Sequence, residues 1–299
     1  MSANSKSTLS GIALFMFGVF LFACMDTTTK YLAGHYPAPM VVALRYISQF
    51  LLMVVLLSPS QGRKLLQTQR TGLVVVRASC IAVGSLCMTM ALQRMPVAET
   101  SAIVFLCPMI VVLMAGPVLK EHVGKFAWIA SIAGFIGVLL IARPGSGLDA
   151  GGVLLALGAA MTNALYQLLS RVLASTETTM ALLFYTAMVG SVCYGISLPW
   201  FWTGALPPTM HIALFFSTGL LGGIGHYLLT LAHRHTPASA LAPVQYSQLI
   251  WASLLGWLVF SHVPDGLGIL GMVVIAVAGA SVALKSRLAS RTLEQAAES

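Results

Sequence analysis

Residues 91–108 read ALQRMPVAETSAIVFLCP, a basic residue, a proline and a carboxylate set in an otherwise apolar run. Further on, AHRHTPASALAPVQYSQL starts at Ala232 and carries a related pattern. Pro96 and Pro237 lie 141 positions apart (237 − 96). The same 141 relates Ala91 to Ala232, Gly84 to Gly225, Lys30 to Arg171 and Gly11 to Gly152. One constant offset across nearly half the chain marks an internal duplication. The rest of the sequence is read as two copies of one unit.

The chain is strongly apolar. Hydrophobic residues make up 58% and charged residues 8% of 299 residues, against about 25% charged in an ordinary soluble domain. Such a composition belongs to a polytopic membrane protein. Ten apolar runs can be marked: 8–29, 38–58, 71–93, 97–119, 125–143, 150–170, 180–202, 209–231, 238–260 and 265–285. Each is near the roughly 20 residues that a helix needs to cross about 30 Å of hydrocarbon. The runs do not alternate polar and apolar residues, which argues against a barrel. Breakers fill the joints: Pro37 and Pro39, Pro59, Pro144-Gly145, Pro207-Pro208 and Pro264-Asp265-Gly266.

The formal net charge is +8. Its basic residues fall in short connections between spans, the pattern of orientation signals rather than of a nucleic-acid surface. With the N-terminus in the cytoplasm, the inner side holds eleven: Lys6, Arg63, Lys64, Arg70, Lys120, Lys125, Arg171, Arg234, Lys285, Arg287 and Arg291. The outer side holds three, Lys30, Arg94 and Arg143, and Arg77 near the inner end of span 3 adds to the bias. Both termini are therefore expected in the cytoplasm. Spans 1–5 then begin inside and spans 6–10 outside, so the halves 8–143 and 150–285 are inverted copies. Residues 286–299 form a short polar cytoplasmic tail. The stretch Leu21-Phe22-Ala23-Cys24 has the look of a lipoprotein signal. Phe22 suits that poorly, and the segment has a counterpart deep in the chain, so it is read as an uncleaved span.

An all-α integral membrane protein of ten helices in two inverted five-helix repeats is a common plan for secondary transporters, with the site between the halves. Ionisable groups inside the bilayer are costly and mark sites or structural pairs. Asp26 and Lys30 stand at i and i+4 late in span 1, Arg45 lies at a similar depth in span 2, and Arg94 and Glu99 flank Pro96. This outer cluster reads either as a gate or zwitterion site, or as an ion-pair network that ties helix ends together. In the second half Asp26 corresponds to Gln167 and Glu99 to Ala240. Asn163, Tyr166, Gln167 and Ser170 share one face of span 6. Gln245, Tyr246, Gln248 and Trp251 come from span 9, and His226 is the histidine well inside span 8. Together they suggest a neutral, partly aromatic substrate pocket; the alternative is hydrogen bonding that only packs helices.

His226, Asp26 and Glu99 are the groups able to carry a coupling proton, and His226 equally suits an interhelical hydrogen bond. His233-Arg234-His235 lacks metal-ligand spacing, and no Walker loop, GxSxG or HExxH occurs. No metal or cofactor is expected, and a multi-pass membrane enzyme would need a catalytic set that neither cluster resembles. The five cysteines all lie in apolar runs without a CxxC pair. Small residues such as Gly134, Gly137 and Gly279 suit close helix packing or a homodimer face.

The run ALQRMPVAETSAIVFLCPMIVVLMAGPVLKEHVGKFAWIASIAGFIGVLLIARPG, with its counterpart from Ala232, resembles an EamA-type member of the drug/metabolite transporter superfamily over essentially the whole chain. The resemblance implies a ten-helix fold with a cavity lined by spans 1, 3, 4, 6, 8 and 9. Lys120-Glu121 matches the acidic turn after span 4 in such proteins, while Ser261-His262 departs from it. The run APVQYSQLIWASLLGWLVFSHVPD from Ala242 is similar to the branch holding riboflavin and S-adenosylmethionine uptake carriers and exporters of opine-type metallophores. The expectation is an inner-membrane exporter of a small polar or zwitterionic metabolite, with uptake of riboflavin or S-adenosylmethionine as the alternative.

Overall fold

The computed structural model describes residues 3–107, 109–111, 114, 125–141, 147–173, 176–204, 206–235, 247–278 and 280–281. Every regular element among the described residues is a helix. Its helices are α1 (Ala3–Ala33), α2 (Ala38–Gln61), α3 (Thr71–Arg94), α4 (Val97–Val104), α5 (Lys125–Ile141), α6 (Ala150–Leu173), α7 (Thr179–Phe201), α8 (Thr209–His235) and α9 (Ser247–Phe260), followed by α10 (Gly266–Ala278). A 3-10 turn, Gly62–Leu66, joins α2 to α3.

Among the described residues six segments are long and apolar enough to cross a bilayer: Gly11–Ala33, Ala38–Leu56, Thr71–Arg94, Ala150–Ser170, Thr179–Phe201 and Thr209–Leu229. They fall on expected spans 1, 2, 3, 6, 7 and 8. Shorter apolar helices fall on the other four expected spans. Span 4 is not one continuous helix. Its helix α4 stops at Val104, and Phe105 and Leu106 form a turn. Pro108, four residues past Val104, has no N–H to offer that carbonyl.

The helix starts follow from local chemistry. Asp149 Oδ1 accepts from the Gly152 N–H at 2.7 Å at the start of α6, and Asp265 Oδ1 from the Gly268 N–H at 2.7 Å at the start of α10. Thr178 does the same for the Ala181 N–H at 3.2 Å. Each satisfies a donor that the first turn leaves open. Before α3 the task falls to Glu177, whose buried carboxylate accepts the Gln69 N–H at 2.9 Å and the Arg70 N–H at 2.8 Å.

Packing follows the duplication. Helix α1 lies along α8, and α3 along α6; α2 meets α8 as α7 meets α3; α1 meets α9 as α6 meets α4. Shifting residues by 141 exchanges the members of each pair, and the contacts α2·α7 and α4·α9 map onto themselves. Glycines set the close approaches. A Cβ on Gly219 of α8 would lie 2.6 Å from Ser48 Cβ and 2.8 Å from Gln49 N on α2. Gly137 of α5 is buried against α10, where a Cβ would lie 2.8 Å from the Gly271 carbonyl oxygen. Gly137 thus serves a contact within the chain, while Gly279 lies outside the described residues. The outer faces remain apolar. Val55, Leu154, Ile196, Trp200 and Ile250 are each more than 60% exposed. A surface of that kind belongs against lipid, where the helices satisfy their own backbone groups.

Candidate functional site

At one end of the bundle, α3 closes at Arg94 and the chain passes through extended Met95 and Pro96 into α4. The last carbonyls of α3 lack helical partners. Lys30 Nζ, from the end of α1, donates to one of them, the Leu92 oxygen at 2.7 Å, and to the Met95 oxygen just past the helix at 2.6 Å. It also sits 5.5 Å from the centre of the Phe260 ring. Glu99, in the first turn of α4, is buried. Its Oε1 lies 2.8 Å from His262 Nε2, and its Oε2 has no hydrogen-bond partner among the described residues. His262 reaches it because Ser261 takes a left-handed φ of 53° that ends α9. Arg94 turns away from Glu99 to Asp149, at 3.4 Å. A cavity of about 270 Å³ opens here, lined by Lys30, Arg94, Pro96, Phe260 and His262 among others.

Deeper along α1, Asp26 is buried and its Oδ2 accepts from Gln248 Nε2 of α9 at 3.2 Å. This hydrogen bond joins the two halves of the chain. Arg45 of α2, also buried, acts electrostatically on Asp26 and lies 5.1 Å from the centre of the Tyr46 ring. Tyr46 is held by Ser85 Oγ of α3 at 2.9 Å. Among the described residues no carboxylate comes within ion-pair distance of Arg45, so the guanidinium and Asp26 influence each other across a gap.

The polar face of α6 divides between two neighbours. Gln167 Nε2 points to Cys107 Sγ at 3.1 Å. Tyr166 and Ser170 face α3, where Arg77 donates to both. Asn163 is half-buried on the same helix. His226 packs edge-on against Phe22 with ring centres 4.9 Å apart, and Arg45 and Arg77 both act on it electrostatically. Trp251 packs edge-on against Phe20 at 5.0 Å, and its Nε1 has no hydrogen-bond partner among the described residues. Gln245, Tyr246 and the turn Lys120-Glu121 lie outside the described residues.

The structure therefore joins Asp26 to Gln248 and Glu99 to His262, and brings Arg45 within electrostatic reach of Asp26 and His226. It separates Arg94 from Glu99. By sequence Arg77 is an orientation signal and His262 a departure from the acidic turn; the structure puts both in polar contacts between helices. The signal for Arg77 was present: an arginine inside the apolar run 71–93 is a site candidate by its cost alone.

The long apolar helices, lipid-facing side chains and buried polar groups at helix contacts define a multi-pass α-helical membrane protein. The profile of the EamA-like transporter family matches residues 9–143 and again 150–284. The chain belongs to that family, within the drug/metabolite transporter superfamily, whose members here are transporters and not enzymes. An S-adenosylmethionine uptake transporter of Rickettsia prowazekii (strain Madrid E) is 26% identical over 280 residues, covering 92% of each chain. The pseudopaline exporter CntI of Pseudomonas aeruginosa (strain UCBPP-PA14) is 27% identical over 273 residues, covering 90% of this chain and 94% of that one. A solved crystal structure matches with a TM-score of 0.65 at 19% identity, covering 97% of this chain and 99% of the other, a likeness of fold.

Proposed function

We propose that this chain is an inner-membrane secondary transporter that exports a small polar or zwitterionic metabolite, an opine-type metallophore or an amino-acid-like compound, by alternating access. The reading takes residues 8–143 and 150–285 as inverted five-span repeats, with both termini in the cytoplasm and the Lys30–His262 end outside. It is supported by the exchange of helix contacts under the 141-residue shift. The observation that carries the site is the Asp26–Gln248 hydrogen bond between the halves, with Arg45 beside it. An acid and a base held near one another without closing an ion pair suit the ammonium and carboxylate of a zwitterion. Asn163, Tyr166, Gln167, His226, Gln245 and Trp251 form the substrate pocket in this reading. Asp26, Lys30, Arg45 and Glu99 bind or gate, and Asp26, Glu99 and His226 are the groups able to carry a proton. Uptake of riboflavin or S-adenosylmethionine is the second reading; the Rickettsia relatives favour S-adenosylmethionine.

Direction and substrate are tested together by comparing the metabolites of cells and medium with and without the protein. Export predicts a polar compound gained by the medium; depletion of the medium into cells favours uptake. For the compound so identified, Gln167→Ala and Gln245→Ala should each raise KM about tenfold, the effect of losing one hydrogen bond to a buried polar ligand. Unchanged affinity in both variants places the pocket elsewhere.

A further inference from the structure

Arg77 is a buried cation, 4% exposed, held entirely by neutral oxygens. Its Nε donates to Ser170 Oγ at 2.6 Å, Nη1 to the Leu182 carbonyl at 3.1 Å and Thr186 Oγ1 at 3.0 Å, and Nη2 to Tyr166 Oη at 2.8 Å. The Tyr166 ring centre lies 4.2 Å from the guanidinium carbon. Among the described residues no carboxylate lies within ion-pair distance. A charge this deep, without an opposite charge, costs far more than a neutral amide that would tie the same three helices. Its neighbours fix the plane of the fork but leave its charge unmatched.

The duplication explains why no acid stands there. The position equivalent to Asp26 in the second half is Gln167. Thr186 is the equivalent of Arg45, and Thr218 the equivalent of Arg77, so the two arginines occupy interchangeable places in the α2·α8 and α3·α7 contacts. Arg45 lies seven residues into α2 and Arg77 six into α3, each about 10 Å from its helix start. Those starts are at opposite ends of the bundle, because α2 and α3 run antiparallel. One guanidinium stands in from each end, and Asp26 acts on the first.

We propose that Arg77, with Tyr166 and Ser170, is a carboxylate-binding subsite, and that the solutes this chain carries bear a carboxylate which Arg45 meets from one side and Arg77 from the other. The proposal rests on the transporter reading and adds the chemical class of its substrate. An incoming carboxylate takes over N–H groups now given to Ser170 and Tyr166, and the planar fork suits it as an ammonium does not.

The test titrates detergent-purified protein with S-adenosylmethionine and with an N-carboxyalkyl amino acid of the opine class, reading the melting temperature. Each acid is paired with its decarboxylated or methyl-ester form. The acids should stabilise the protein at concentrations at least tenfold lower than their neutralised forms. Arg77→Gln should abolish that preference, and Arg77→Lys should keep part of it. A role confined to helix packing would lower the melting temperature without ligand and leave the preference intact. The proposal is overturned if the wild-type protein responds to neither form or equally to both, or if Arg77→Gln keeps the preference. Acids that bind through Arg77 but never cross a proteoliposome membrane would leave the subsite standing and sink the transporter reading. Transport of acid and ester alike would do the reverse.

Discussion

A Gly219→Val chain will not accumulate as folded protein. The first added carbon would sit 2.6 Å from Ser48 Cβ, 2.8 Å from Gln49 N and 3.0 Å from the Arg45 carbonyl oxygen. Two of these are backbone atoms of α2, which cannot swing aside as the end of a side chain can. Helices α2 and α8 would have to separate, opening the contact that also places Arg45. Overpacking of this kind costs on the order of 3 kcal/mol or more. The expected result is at least a tenfold fall in monodisperse protein on size-exclusion chromatography, with the remainder melting well below wild type. Gly72→Ala is the control, since nothing lies within 4 Å of a Cβ there. A Gly219→Val protein that elutes and melts like wild type would mean that α2 and α8 do not pack this closely.

Arg45→Ala should reduce transport by at least a hundredfold, and Asp26→Ala should do the same. Both side chains are buried, and each is the charge that makes the other tolerable in a low-dielectric interior. Initial rates in proteoliposomes at equal reconstituted protein provide the measurement, with folding checked by size exclusion. The informative variant is Asp26→Asn with Arg45→Gln together. If the two groups only neutralise each other, the double variant recovers transport, because no unmatched charge remains. If they hold the two charged ends of the solute, the double variant stays inactive. The account predicts inactivity, and wild-type transport of every charged solute by Arg45→Ala would remove both residues from the site.

Much of the fold was legible because membrane helices announce themselves by length and apolarity. The runs beginning at Ala38, Thr71, Met180 and Thr209 became long helices close to the expected bounds. The repeat was legible in part because Gly84 and its counterpart Gly225 occupy places where a side chain is not tolerated. Gly84 presses on Thr162 of α6, and Gly225 presses on Phe22 of α1. The pairings of polar groups were not legible. Asp26 and Gln248 are 222 residues apart, and Glu99 and His262 are 163 apart. Nothing local links them. Arg94 and Glu99 were drawn together by sequence proximity. The extended Met95-Pro96 step turns the start of α4 away from the end of α3, sending Arg94 to Asp149 and Glu99 to His262. Periodicity also put Tyr166 and Gln167 on one face without revealing that they serve different neighbours, Arg77 and Cys107.

The central claim is that this chain moves a small polar solute through a site between its halves without changing it. Proteoliposomes loaded with a cell metabolite extract, and diluted into a labelled copy of that extract, test it most directly by mass spectrometry. The account predicts that one compound or a small related set exchanges chemically unchanged. The exchange should require Arg45, and every exchanging compound should carry a carboxylate. Exchange of nothing beyond the protein-free control, or the appearance of a chemically altered product, would contradict it.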